Sequence, residues 1–255
     1  MLDVDTREIQ LVSGNFTGNI NDYRWLPGGQ GALLSAEVRT DRGIYSLDIG
    51  TGETKALLDR AGSAGDVAYS ADRERAAFIW SDAVSPPDVY IKALPGGGPV
   101  RLTEVNPGFA DKEKGEFRIV SWQSTGGLAV EGLLFLPAER KPEERIPLIL
   151  QVHGGPAGVF SNSWSTDRHI WTGMGYAMLC PNVRGSTAYG DELLRGNMND
   201  IGGGDYEDLM TGVDRLIQEG IVDPERMGVR GWSYGGILGG WVVTQTDRFK
   251  AAALG

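Results

Sequence analysis

The chain has 255 residues, 41% of them hydrophobic, which is ample for one large or two smaller cores and excludes a disordered or fibrous protein. Its 24 Lys and Arg against 34 Asp and Glu leave a net charge of −10, which disfavours electrostatic binding to nucleic acid or an anionic membrane and points to small-molecule or peptide partners. The single cysteine, Cys180, excludes an internal disulfide, and with only His153 and His169 beside it no metal-ligand spacing or cofactor motif is present.

The opening Met-Leu-Asp-Val-Asp-Thr-Arg has neither a basic nor an apolar leader region, and no apolar run approaches the roughly 18 residues of a membrane helix. The cytoplasm is therefore the expected compartment. Homo-oligomerisation is compatible with the sequence but not specified by it.

From Met1 to about Asn106 the chain reads as short strands separated by Gly, Pro and Asp turns, with an internal repeat. Trp25-Leu-Pro-Gly-Gly-Gln-Gly-Ala-Leu-Leu recurs 44 positions later as Tyr69-Ser-Ala-Asp-Arg-Glu-Arg-Ala-Ala-Phe, and each copy leads to an aromatic strand, Ile44-Tyr-Ser-Leu-Asp or Asp88-Val-Tyr-Ile-Lys. A period in the forties with about four strands per unit suits β-propeller blades. Leu2-Asp-Val-Asp-Thr-Arg-Glu also echoes Leu47-Asp-Ile-Gly-Thr-Gly-Glu, so the chain is expected to begin inside a blade. Residues 1–112 are expected to be the last two blades and a remnant of a longer propeller; a small antiparallel β domain complete in itself is the alternative.

Asp111-Lys-Glu-Lys-Gly-Glu is a charged, apolar-poor linker. Beyond it, residues 113–255 begin with two strands, at 117–123 and 128–136. The pattern then alternates: strands at 148–152, 176–180 and 227–231, with helices expected at 165–174, 191–198 and 205–218. This is α/β architecture with a mostly parallel sheet, in which sites form at the carboxyl ends of the strands, where His153, Asn182 and Ser233 fall.

Three stretches at those ends carry chemistry. Met227-Gly-Val-Arg-Gly-Trp-Ser-Tyr-Gly-Gly-Ile-Leu has the G-x-S-x-G spacing of a nucleophile elbow: Gly231 and Gly235 let strand and helix backbones approach, Ser233 sits at the turn, and the Tyr234 N–H is the first candidate oxyanion donor. By itself the motif also fits a Gly-rich turn with an idle serine. His153-Gly-Gly-Pro-Ala-Gly follows a strand as the oxyanion loop of α/β-hydrolases does, with Gly155 N–H the candidate second donor; a tight turn capping the strand is the alternative. In Pro181-Asn-Val-Arg-Gly-Ser-Thr-Ala-Tyr-Gly, Arg184 could bind a substrate carbonyl or carboxylate, but a structural ion pair is favoured.

Taken with Gly204-Asp-Tyr-Glu-Asp, Asp223-Pro-Glu-Arg and Asp247-Arg-Phe-Lys-Ala-Ala, these motifs resemble, in order, the prolyl oligopeptidase family of serine peptidases, in its acylaminoacyl peptidase and dipeptidyl peptidase-like branch. The resemblance is specific over 117–255. It implies the N-terminal part of an α/β-hydrolase domain capped by a propeller that admits short peptides. Ser233 would be the acylated nucleophile, the Tyr234 and Gly155 N–H groups the oxyanion hole, and Asp205 and Asp208 structural residues.

The triad order of that fold is Ser, then Asp or Glu, then His. After Ser233 come one carboxylate, Asp247, which matches a position just past the nucleophile helix, and no histidine. His153 as base would break both the chain order and the role of its loop, and His169 reads as packing. The expectation is an internal fragment of a longer peptidase, inactive by itself; a carboxylesterase and a non-catalytic binding module are the competing readings.

Overall fold

The computed structural model describes residues 1–94, 96–109, 112, 114–141 and 143–255. Eight strands build one N-terminal sheet: β1 (Asn19–Trp25), β2 (Gly31–Val38), β3 (Asp41–Asp48), β4 (Thr54–Ala56), β5 (Ser63–Tyr69), β6 (Arg75–Ser81), β7 (Asp88–Ala93) and β8 (Val100–Arg101). Within it β1 to β4 form one antiparallel meander and β5 to β8 another, joined by a single parallel pairing of Arg42 with Ser63.

The 44-residue repeat is physical. In the β1–β2 turn Leu26 N–H donates to Gly31 O and Gly29 N–H to Leu26 O; 44 residues on, Ser70 N–H donates to Arg75 O and Arg73 N–H to Ser70 O. Gly29 and Arg73 both take positive φ, 73° and 64°, at the same turn position. The echo at the N-terminus is as close. Asp3 Oδ1 caps the Thr6 N–H as Asp48 Oδ1 caps that of Thr51, and the bridge Leu2–Ile9 reproduces the pairing of Leu47 with Thr54. Residues 2–9 thus form a turn of the same kind as that between β3 and β4.

The second sheet, in order β14-β13-β11-β12-β10-β9, is mixed. Strands β9 (Glu116–Gln123) and β10 (Ala129–Leu136) form an antiparallel hairpin, and β10 also pairs antiparallel with β12 (Ala177–Asn182). Strands β11 (Ile146–Val152), β12, β13 (Val222–Gly231) and β14 (Phe249–Leu254) run parallel. Four helices connect them: α1 (Thr166–Gly173), α2 (Asp191–Arg195), α3 (Gly204–Gln218) and α4 (Tyr234–Gln245).

The central strands are apolar on both faces, as strands covered on both sides must be. Leu148, Leu150, Leu179, Leu134 and Leu136 join Leu209, Val213 and Leu216 of α3 and Leu238 and Val242 of α4 in one core. Ile149, Met178, Cys180, Leu133 and Phe135 pack on the opposite face with Phe160 and Trp171 of α1. Cys180 is there as the small buried hydrophobe its sequence context suggests, and burial pushes its thiol up to about 11.

Two elements differ from the sequence-based expectation. Helix α2 stops at Arg195, where the Gly196 N–H bonds back to Leu193 O, and β13 begins at Val222, five residues early. Its pairing shifts there: Ile146 opposes Val222 but Leu148 opposes Met227, so residues 223–226, with Pro224, bulge outward, and Asp223 is held by Arg226 at 2.7 Å. The charged linker lies partly outside the described residues, which exclude 111 and 113.

Asn162 rivets the two sheets together. Its N–H donates to Thr40 O (2.6 Å), its Nδ2 to Asp41 Oδ1 (3.0 Å), and its Oδ1 accepts from Ala83 N–H (3.0 Å). His169 Nε2 donates to Ala83 O at 2.9 Å while its ring stacks on Trp164, which makes it the packing residue expected. Arg39 of the β2–β3 turn reaches Glu131 of β10, which also accepts from Tyr189 Oη at 2.9 Å. The N-terminal sheet is thereby held over the carboxyl ends of β11 and β12.

Candidate active site

Ser233 lies two residues past the end of β13 and immediately before α4, with φ 57° and ψ −123°. For a residue with a Cβ this is a costly backbone, of order 1–3 kcal/mol, and it persists only where neighbours enforce it. They do. A Cβ on Gly231 would lie 2.2 Å from Gly235 O, and one on Gly235 2.3 Å from Val152 O, so the strand and helix meet closer than any other residue type allows. Ser233 N–H donates to Gly255 O (2.7 Å), and Ser233 O accepts from Gly236 (2.8 Å) and Ile237 (3.0 Å).

The side chain of Ser233 is exposed and makes no capping bond to the helix it precedes. Gly235 N–H turns back to Trp232 O (2.9 Å). Tyr234, the first residue of α4, has no intrahelical partner for its N–H, and the positive end of the helix dipole lies beside Ser233.

The loop after β11 runs against this turn. A Cβ on Gly154 would be 3.6 Å from Ser233 Cβ and 3.3 Å from Trp232 O, so it is Gly154 that touches the serine. Gly155 follows with φ 138°, a conformation side-chain-bearing residues rarely adopt. His153 is buried and both ring nitrogens are engaged: Nδ1 donates to Gly154 O (2.8 Å), and Nε2 accepts from Ser186 Oγ (2.9 Å). Burial holds its pKa below the usual histidine value, so the ring is a neutral brace for the loop.

Arg184 is an internal ion-pair residue here. Its N–H donates to Asp208 Oδ2 (2.8 Å), its guanidinium lies 3.6 Å from Asp208 Oδ1, and Nη2 donates to Thr125 O (2.6 Å). Asp208 is fully buried and desolvation raises its pKa. Asn182 closes the floor of β12, accepting Phe160 N–H (2.7 Å) and donating to Phe160 O (3.0 Å) and Tyr189 Oη (3.1 Å).

Three residues emerge from the geometry alone: Ser186 behind His153, Asn197, and the Tyr234 side chain, whose hydroxyl donates to buried Asp205 and accepts from Asn197 Nδ2 at 3.0 Å. Asn197 sits in a polar loop, Gly196-Asn-Met-Asn-Asp, with no pattern to mark it. Among the described residues no three His, Cys, Asp or Glu side chains converge as a metal site would need, and no helix is long and apolar enough to cross a membrane.

What this arrangement can do is present an exposed hydroxyl, on an enforced turn, beside a helix N-terminus and a glycine loop. Known proteins resemble the chain that carries it. Residues 162–255 match the prolyl oligopeptidase family. An uncharacterised peptidase of Bacillus subtilis, YuxL, is 30% identical over 254 residues, 99% of this chain and 38% of that protein. The acylamino-acid-releasing enzyme of Arabidopsis thaliana is 29% identical over 93% of this chain and 34% of its own length. Among solved structures, the acylaminoacyl peptidase of Pyrococcus horikoshii superposes with a TM-score of 0.84 at 25% identity, covering 96% of this chain and 38% of that one. The chain thus spans little more than a third of the relatives it matches. Over residues 162–255, which carry the Ser233 elbow, it is thus similar to the prolyl oligopeptidase family.

Proposed function

We propose that this chain is part of a serine peptidase that hydrolyses short peptides, of acylaminoacyl- or dipeptidyl-peptidase type, through an acyl-enzyme on Ser233. The observation that carries the reading is the elbow itself: a serine at φ 57°, enforced by two glycines whose Cβ positions are filled by backbone. Such strain is retained where it serves a mechanism.

In this mechanism Ser233 Oγ attacks the scissile carbonyl carbon and its proton passes to a general base. The carbonyl oxygen, now negative, takes hydrogen bonds from the Tyr234 and Gly155 N–H groups. Collapse of the tetrahedral adduct expels the amine, which carries the proton away, and water then releases the acyl group by the same route. The base and its carboxylate partner come from sequence outside these 255 residues. His153 is committed to Ser186 and Gly154, and His169 to Ala83, so the segment alone is inactive in this reading.

The two four-stranded units and the 2–9 turn are the last blades of a propeller over residues 1–112, standing over the peptidase part at 113–255. Their hydrogen-bonded repeat supports this. The protein works in the cytoplasm on peptide substrates, with no cofactor.

The test uses the full-length protein with N-acetyl-alanyl and alanyl-alanyl p-nitroanilides beside p-nitrophenyl acetate. Amide turnover of either anilide is expected. Ester cleavage without amide turnover would assign a carboxylesterase instead, and no turnover of any of the three would contradict an enzymatic role.

A further inference from the structure

We propose that Asp205 is a positioning residue that sets the Tyr234 N–H, the first oxyanion donor, by holding the Tyr234 hydroxyl. The proposal rests on the acyl-transfer reading of Ser233 and adds to it a part for a carboxylate that resemblance alone marks as structural.

Asp205 is the second residue of α3, fully buried, and its carboxylate is saturated with donors. Oδ1 accepts the N–H groups of Gly202 (2.8 Å) and Tyr206 (2.8 Å), and Oδ2 accepts the Tyr234 hydroxyl. The Gly202 and Tyr206 bonds satisfy the start of α3; that to Tyr234 does not, because it crosses to a different helix. Tyr234 is itself buried, and Asn197 Nδ2 donates to the same hydroxyl, so the phenol is gripped as donor and as acceptor at once. Burial and the adjacent Asp205 raise the pKa of Tyr234, which keeps its hydrogen in place for this bond.

The grip extends along α4. Trp241 Nε1 donates to Gly202 O at 2.7 Å, and a Cβ on Gly202 would lie 2.9 Å from that nitrogen. Tyr234 and Trp241 are seven residues apart, two turns on one helical face. On another face Gly235 and Gly239 press against Val152 O and the Leu254 side chain. Helix α4 is thus clamped between the sheet on one side and the 197–203 loop with the start of α3 on the other, and the Asp205 bond acts on its first residue, adjacent to Ser233.

A hydrogen bond to the oxyanion exists only while the tetrahedral adduct does, so a displaced donor lowers kcat and leaves KM nearly unchanged. In the full-length protein, Tyr234→Phe removes one oxygen and leaves the ring to fill its site. It should lower kcat for an anilide substrate by about 10- to 100-fold with KM within about twofold, below the loss seen when an oxyanion donor is removed outright. The rate of Ser233 labelling by a fluorophosphonate should fall in parallel. Asp205→Asn should do the same, and the double variant should be no slower than the slower single one, because both act through one bond. If Asp205→Asn does not fold, the near-isosteric Tyr234→Phe decides the matter alone. A Tyr234→Phe enzyme with kcat within twofold of wild type, or additive losses in the double variant, would overturn the proposal while leaving the peptidase reading intact. A folded wild type that turns over no substrate would sink both.

Discussion

Replacing Ser233 with alanine in the full-length protein should lower anilide hydrolysis by roughly 10⁴-fold or more, to the residual rate that binding and oxyanion stabilisation sustain without a nucleophile. Circular dichroism and the thermal midpoint should change little, since the Ser233 side chain is exposed and caps nothing. A companion variant separates chemistry from strain. Ser233→Gly should be equally inactive yet more stable than Ser233→Ala by up to about 2 kcal/mol, because glycine adopts φ 57° freely and only its greater unfolded-state entropy opposes the gain. Comparing urea midpoints of the two inactive proteins reads this directly. Equal midpoints would limit the strain stored in the elbow to about 0.5–1 kcal/mol, the entropy cost of the glycine.

The second large effect is on folding. Gly235→Ala puts a methyl group 2.3 Å from Val152 O, 2.9 Å from Val152 C and 3.0 Å from His153 O, all backbone of the strand and loop beneath the elbow. No side-chain rotation relieves that contact, so β11 and α4 must separate. The core of Leu148, Leu150, Val229, Leu238 and Val242 opens between them. A loss above about 3 kcal/mol is expected, in the range of severe overpacking. The control lies five residues on. Gly240 is also in α4, but a Cβ there meets nothing within 4 Å, so Gly240→Ala should stabilise by about 0.5–1 kcal/mol through helix propensity alone. If both alanines cost the same, the close approach of strand and helix at the elbow is not what holds it.

Much of this was written in local sequence because local chemistry dictates it. Gly231 and Gly235 flank a serine at the spacing that steric contact demands, and the structure shows both contacts. The 44-residue repeat was faint in letters, since Gly29 and Arg73 share nothing as side chains, yet they occupy one turn position at the same positive φ. The Leu2 and Leu47 echoes could be read because an Asp-x-x-Thr turn needs those two side chains for its own hydrogen bonds.

What could not be read involves partners far apart in the chain. Asn162 makes its bonds to Thr40, Asp41 and Ala83, separations of about 80 to 120 residues, and nothing local distinguishes it from any loop asparagine. Asn197 and Asp205 meet Tyr234 across separations of 37 and 29 residues. The early start of β13 was hidden by Asp223-Pro224, a turn signal that the strand accommodates as a bulge against β11. Periodicity reports which face of an element is buried, and tertiary hydrogen bonds leave no such period.

The most direct test of the account is to treat the full-length protein with a fluorophosphonate, follow anilide hydrolysis as it is lost, and locate the adduct by mass spectrometry after trypsin. Cleavage after Arg230 and Arg248 isolates residues 231–248, in which Ser233 is the one serine. The account predicts stoichiometric modification of Ser233, rising in step with the loss of activity. Loss of activity with the adduct on another serine, or full activity with Ser233 modified, would contradict it.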